Sequence, residues 1–134
     1  MTSTIRLPSE PGRQAGLRDH GAGDPVLLIH GVGLQSAAWT PQIEALSRSR
    51  RVIAPDLPGH GASAPLPPGA ALPDYVAWFA EVMEALALGP CSVAGHSMGA
   101  LIAVGLAVSH PARVTRTAAL NPVHRRGPRA RAAV

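Results

Sequence analysis

Gly95-His96-Ser97-Met98-Gly99 stands between a short strand-like run, Cys91–Ala94, and a stretch that is apolar nearly all round, Ala100–Val108. A chain that passes from strand to helix in so few residues has little freedom in how it turns. The serine takes a strained backbone conformation at the corner, which projects its hydroxyl from the end of the strand. Glycines two before and two after it let neighbouring backbone close in where a Cβ would collide. The following helix aims free N–H groups and the positive end of its dipole at the same spot, which favours an oxyanion. A phosphate loop would instead require Gly-Lys-Ser/Thr, and the chain has no lysine. Ser97 is thus the candidate nucleophile, with Gly95, His96 and Gly99 shaping the turn.

The other segments alternate. Val26–Ile29 is a continuous apolar run of strand length, the kind buried on both faces of a parallel sheet. A helix is expected over Ser36–Ser47, with Trp39, Ile43 and Leu46 on one face and Pro41 in its first turn. Arg51–Ala54 is the next strand, and a loop covers Ala62–Ala71. Asp74 is expected to cap a helix running to Leu88, whose Val76, Phe79, Val82, Met83 and Leu86 follow the helical period. Strand Cys91–Ala94 leads into the corner. A helix follows over Met98–Ser109, and its uniform apolarity points to deep burial. Val114–Leu120 is the last strand. Residues 1–24 are polar, with at most a weak strand through Gly16–Asp19. The alternation argues for an α/β fold, a mostly parallel sheet with helices on both faces.

The 134 residues suit one domain or the front of a larger one. Twelve arginines against eight acids give a formal charge of +4. Six of those arginines, and no acid, fall in residues 85–134. A nucleic-acid surface is the sharp reading of Arg125–Arg131. No aromatic side chain interleaves there to stack bases, so 124–134 is read as a solvated basic tail. Cys91 is alone, which leaves no internal disulfide and no cysteine metal site. Met1–Gln14 has no apolar signal-peptide core, and no apolar run nears the roughly 20 residues of a membrane span. A cytoplasmic protein is expected, with no nucleic-acid or membrane partner, no metal and no cofactor.

His30-Gly31-Val32-Gly33 breaks the Val26–Ile29 strand. A loop of this kind can turn a backbone N–H into a cleft. Val32 is the candidate for that donor, and Met98, just after the serine, is the candidate for a second. Two donors fixed on one oxygen stabilise a tetrahedral intermediate, and loss of one costs about 2.7–4 kcal/mol. Together with Trp39 and Pro55-Asp56-Leu57-Pro58-Gly59-His60-Gly61-Ala62-Ser63, these motifs resemble the α/β-hydrolase superfamily over residues 15–123. The resemblance implies a serine hydrolase acting on a small ester-like molecule, at a carboxylic ester or a related acyl or carbon–carbon bond. Ser97 would be the nucleophile and the N–H groups of Val32 and Met98 the oxyanion hole. His30, Gly31 and Gly33 would support the loop. Asp56 and His60 would belong to a structural turn, not to the catalytic acid and base. A serine at the corner disfavours the relatives that use aspartate there.

In that superfamily the acid and then the histidine follow the serine. Here no carboxylate follows Glu84, and only His110 and His124 follow Ser97. The expectation is therefore an N-terminal portion of the fold, a single partial domain over 1–134 with its core at 15–123. The C-terminal strands, the lid and two members of the triad would be missing. His110, before Pro111, reads as a helix-end cap. His124 lies nearer the site but has no later carboxylate to orient it. Without a base the serine is a poor nucleophile. The alternatives are a non-catalytic binding module that keeps the hydrolase scaffold, or a second polypeptide that supplies acid and base. An open sheet edge and bare helix faces predict a chain prone to aggregate.

Overall fold

A computed structural model describes residues 2–10 and 12–122. The expected basic tail at 124–134, and His124 with it, lie outside the described residues. Six strands form one sheet: β1 (Ser3–Arg6), β2 (Gln14–His20), β3 (Pro25–Ile29), β4 (Arg51–Pro55), β5 (Cys91–His96) and β6 (Val114–Leu120). Three helices join them: α1 (Thr40–Leu46), α2 (Leu72–Ala85) and α3 (Met98–Ser109). The strand order is β1-β2-β4-β3-β5-β6. β1, β2 and β4 pair antiparallel, while β4, β3, β5 and β6 run parallel.

Strand periodicity sorts the apolar side chains onto two faces. Leu27, Ile29, Ile53 and Val93 point into a cluster with Val76, Phe79, Val82 and Met83 of α2 and Ile102, Ala103 and Leu106 of α3. Val26, Leu28, Val52 and Ala54 point the other way, against Trp39 and Ile43. The helices thus cover both faces, as the alternation required. From β3 the chain steps outward to β4, then back past β3 to β5. Crossovers of one hand place α1 and α2 on opposite faces. The reversal opens a crevice at the carboxyl ends of β3 and β5, where open α/β sheets hold their ligands.

Several boundaries differ from the sequence reading. Residues 1–24 carry two strands instead of one weak one, and Leu7, upstream of residue 15, joins the core at 3% exposure. Among the described residues of this segment only Leu7, Ala15 and Leu17 are buried apolar side chains, so its inward face is short. The expected helix over Ser36–Ser47 is a 3-10 turn over Ser36–Trp39 followed by α1. Pro41 sits in the first turn of α1, where its missing N–H is harmless. Asp74 lies inside α2, not before it: its carboxylate accepts the Ala71 N–H at 2.7 Å and so closes the helix start from within. α2 ends at Ala85, and Ala87 turns left-handed at φ 51°. α3 is not buried all round, since Val104 is 45% and Val108 75% exposed.

Candidate active site

Ser97 occupies the corner between β5 and α3 with φ 59° and ψ −119°. This left-handed backbone is strained for a residue with a Cβ, and two backbone hydrogen bonds hold it. The Ser97 N–H donates to the Leu120 carbonyl of β6 at 2.9 Å, and its own carbonyl accepts from Ala100 N–H at 3.0 Å. The glycines do what the spacing required. A Cβ on Gly95 would overlap the Gly99 carbonyl and stand 2.7 Å from the Ala100 nitrogen. A Cβ on Gly99 would overlap the Ile29 carbonyl oxygen and stand 2.8 Å from that of His30. α3 therefore seats its first turn on the end of β3, backbone against backbone.

Gly31 brings the loop after β3 to the serine. A Cβ built on it would lie 3.1 Å from Ser97 Cβ and 3.6 Å from His96 Nδ1. The buried His30 fixes the loop's direction. Its Nε2 accepts the Leu57 N–H at 2.9 Å, so in the neutral ring Nδ1 carries the hydrogen and donates to the Gly31 carbonyl at 2.7 Å. Leu34 N–H donates to that same carbonyl at 3.2 Å. In a trans peptide the carbonyl and the next N–H point in opposite directions. Pinning Gly31 C=O therefore sends Val32 N–H the other way. Among the described residues no hydrogen bond uses the N–H of Val32 or of Met98. Burial pushes the His30 pKa below 6.5, only partly countered by the Gly31 carbonyl and Asp56.

Asp56 is 2% exposed and both of its oxygens are engaged. Oδ1 accepts Ser36 N–H at 2.7 Å and Oδ2 accepts Ala62 N–H at 3.1 Å. It ties the start of the 3-10 turn to the 57–63 turn. Ser63 Oγ locks the same turn by donating to the Asp56 carbonyl at 2.7 Å. His60 Nε2 accepts Gly33 N–H at 3.0 Å, and its ring stands 5.4 Å from that of His30 at 61°. Sequence reasoning gave Asp56 and His60 only a place in a turn. One partner of each lies 20 or 27 residues upstream, at a spacing that no local period encodes.

A cavity of about 290 Å³ opens beside the corner, lined by His30, Leu34, Trp39, Gln42, His96 and Leu120. A larger one of about 370 Å³, between the β1–β2 connection and α2, touches none of the corner residues. Size is thus a poor guide here, and the convergence of strained backbone and amides is the better one. His110 caps α3 at its far end, donating its N–H to the Leu106 carbonyl. Twelve helical residues separate it from the corner, about 18 Å at 1.5 Å per residue. His20 pairs with Val52 at the entry end of β4, opposite the crevice. Burial lifts the Cys91 thiol to about 11, which makes it inert. No group of three or more possible metal ligands occurs among the described residues.

The sequence profile described as alpha/beta hydrolase fold matches residues 24–132. The chain belongs to the α/β-hydrolase family. It is 46% identical, over its whole length and 50% of the relative's, to an (E)-2-((N-methylformamido)methylene)succinate hydrolase from Acinetobacter baylyi. It is 36% identical over 123 residues, 88% of this chain and 44% of the relative, to a 2-hydroxy-6-oxo-2,4-heptadienoate hydrolase from Pseudomonas putida. Among solved structures, a meta-cleavage product hydrolase from Pseudomonas fluorescens superposes with a TM-score of 0.84 at 30% identity, covering 94% of this chain and 47% of the other. This α/β-hydrolase chain spans about half the length of the curated relatives it matches. No helix among its described residues is long and apolar enough to cross a membrane.

Proposed function

We propose that this chain carries the nucleophile side of a serine hydrolase site. Ser97 Oγ bonds to the carbonyl carbon of an ester, or of a related acyl or activated carbon–carbon substrate. As it does so it gives its proton to a base. The carbonyl electron pair moves onto oxygen, where the N–H groups of Val32 and Met98 hold it. Collapse expels the leaving group, and water then releases the acyl group from Ser97. The observation that carries this reading is Ser97 at φ 59° on a strand-to-helix corner, with Gly31 drawn against it. His30, Gly33, Gly95, His96 and Gly99 support that geometry.

The base is not His20, His30, His60 or His110. The first and last are at the wrong end of their elements, and both ring nitrogens of the other two are engaged by backbone groups. The relatives' names, a substituted succinate and a hydroxy-oxo-heptadienoate, direct the first substrate trials to small carboxylates with a hydrolysable acyl group. A cytoplasmic setting, resting on the single inert Cys91, belongs to the same proposal. A second reading, a binding module without turnover, is favoured by one observation. No described residue accepts a hydrogen bond from the Ser97 hydroxyl. A fluorophosphonate probe separates the two. Labelling that disappears in Ser97→Ala supports the hydrolase, and a wild-type chain that stays unlabelled supports the module.

A further inference from the structure

The loops after β3 and β4 exchange histidines. His30, in the first loop, accepts the Leu57 N–H of the second, and His60, in the second, accepts the Gly33 N–H of the first. Backbone N–H can only donate, so both Nε2 atoms are lone-pair acceptors. In the neutral rings both Nδ1 atoms then carry the hydrogen. His60 donates its own to the Pro58 carbonyl at 3.1 Å, as His30 does to the Gly31 carbonyl. Val32 sits between the two clamps. The peptide before it is pinned through the Gly31 carbonyl, and the peptide after it through Gly33 N–H. Gly33 has φ 84°, and a Cβ built on it would meet nothing within 4 Å, so that side of the residue is open. Val32 itself is 63% exposed. Without His60 the second peptide plane can rotate, and the loop that carries the Val32 N–H is held only through the Gly31 carbonyl.

We propose that His60 is a positioning residue that holds the Gly31–Gly33 loop in the arrangement presenting the Val32 N–H; its catalytic purpose rests on the reading of Val32 as an oxyanion donor. The test uses the 134-residue chain with His60→Phe, which keeps a ring but removes the acceptor, and His60→Gln, whose amide oxygen can take its place. Two quantities are measured: hydrogen exchange of the Gly33 amide by NMR, and the rate at which a fluorophosphonate labels Ser97. His60→Phe is expected to speed Gly33 exchange and slow labelling, each by about tenfold or more, while the amides of β3 and β5 stay protected. His60→Gln is expected to restore both. If the Phe variant does not fold, His60→Asn, too short to reach Gly33, takes its place. Equal Gly33 exchange in all folded variants overturns the proposal, and altered exchange with unaltered labelling overturns its catalytic purpose. A wild type that never labels overturns the hydrolase reading instead, and Gly33 exchange still decides whether His60 holds the loop.

Discussion

His30 shows how one side chain couples the site to the fold. Its ring is buried, neutral and bonded at both nitrogens, so a second proton would set an N–H against the Leu57 N–H. Burial lowers its folded pKa below 6.5, and the nearby His60 adds to this. The unfolded chain therefore binds the proton more tightly than the folded one. Stability from this group is complete above about 6.5 and is lost as pH falls through the folded value. The expected outcome is a urea midpoint that drops between pH 7 and pH 5. His30→Leu should be less stable at pH 7 but lose less on acidification. An equal loss in both would assign the acid sensitivity elsewhere. The sequence marked His30 only as part of a strand-ending loop. Its buried, doubly bonded ring depends on Leu57, 27 residues later and beyond α1 and β4 in the chain.

At the scale of elements, the contact between α3 and β3 is the decisive one. Gly99 lets the helix start against the Ile29 and His30 carbonyls, and backbone on both sides cannot retreat as a side chain could. Gly99→Ala is expected to cost about 1–3 kcal/mol in urea unfolding, the usual range for overpacking, and to slow Ser97 labelling. Gly89→Ala meets no atom within 4 Å and should leave stability unchanged or slightly raised. A Gly99→Ala variant as stable as Gly89→Ala and the wild type would show that the corner tolerates a methyl. The corner's elements were legible because their signals are local: an apolar strand, paired glycines and an apolar helix. β1 and the start of β2 were not, because the edge strand β1 and the neighbouring start of β2 mix Thr, Arg and Gln with few apolar residues. The cap of α2 was misplaced for a similar reason. Asp74 is a good acceptor near a helix start, but whether it acts from outside or within depends on where the preceding loop delivers Ala71.

For the whole molecule, the two sides of the sheet's last strand differ. β6 pairs with β5 along one edge, and all its residues after Val114 are exposed, with Leu120 at 47%. Val104 and Val108 of α3 add a bare apolar strip. An apolar surface with an open strand edge promotes association. Sedimentation of the 134-residue chain is expected to show concentration-dependent self-association. The double variant Val104→Lys, Val108→Lys should reduce it with little change in stability, since neither side chain is buried. A monomer at all concentrations would sink this expectation. By itself the sequence determined the alternation of strands and helices, the layered α/β class and the strained serine corner. Each of these follows from hydrophobic period and glycine placement within about a dozen neighbouring residues. Only the tertiary structure decided that Asp56 and His60 tie together the loops beside the serine corner, that His110 lies far from that corner, and which side of α3 is exposed. Those facts rest on contacts between segments far apart in the chain, set by strand order and crossover direction.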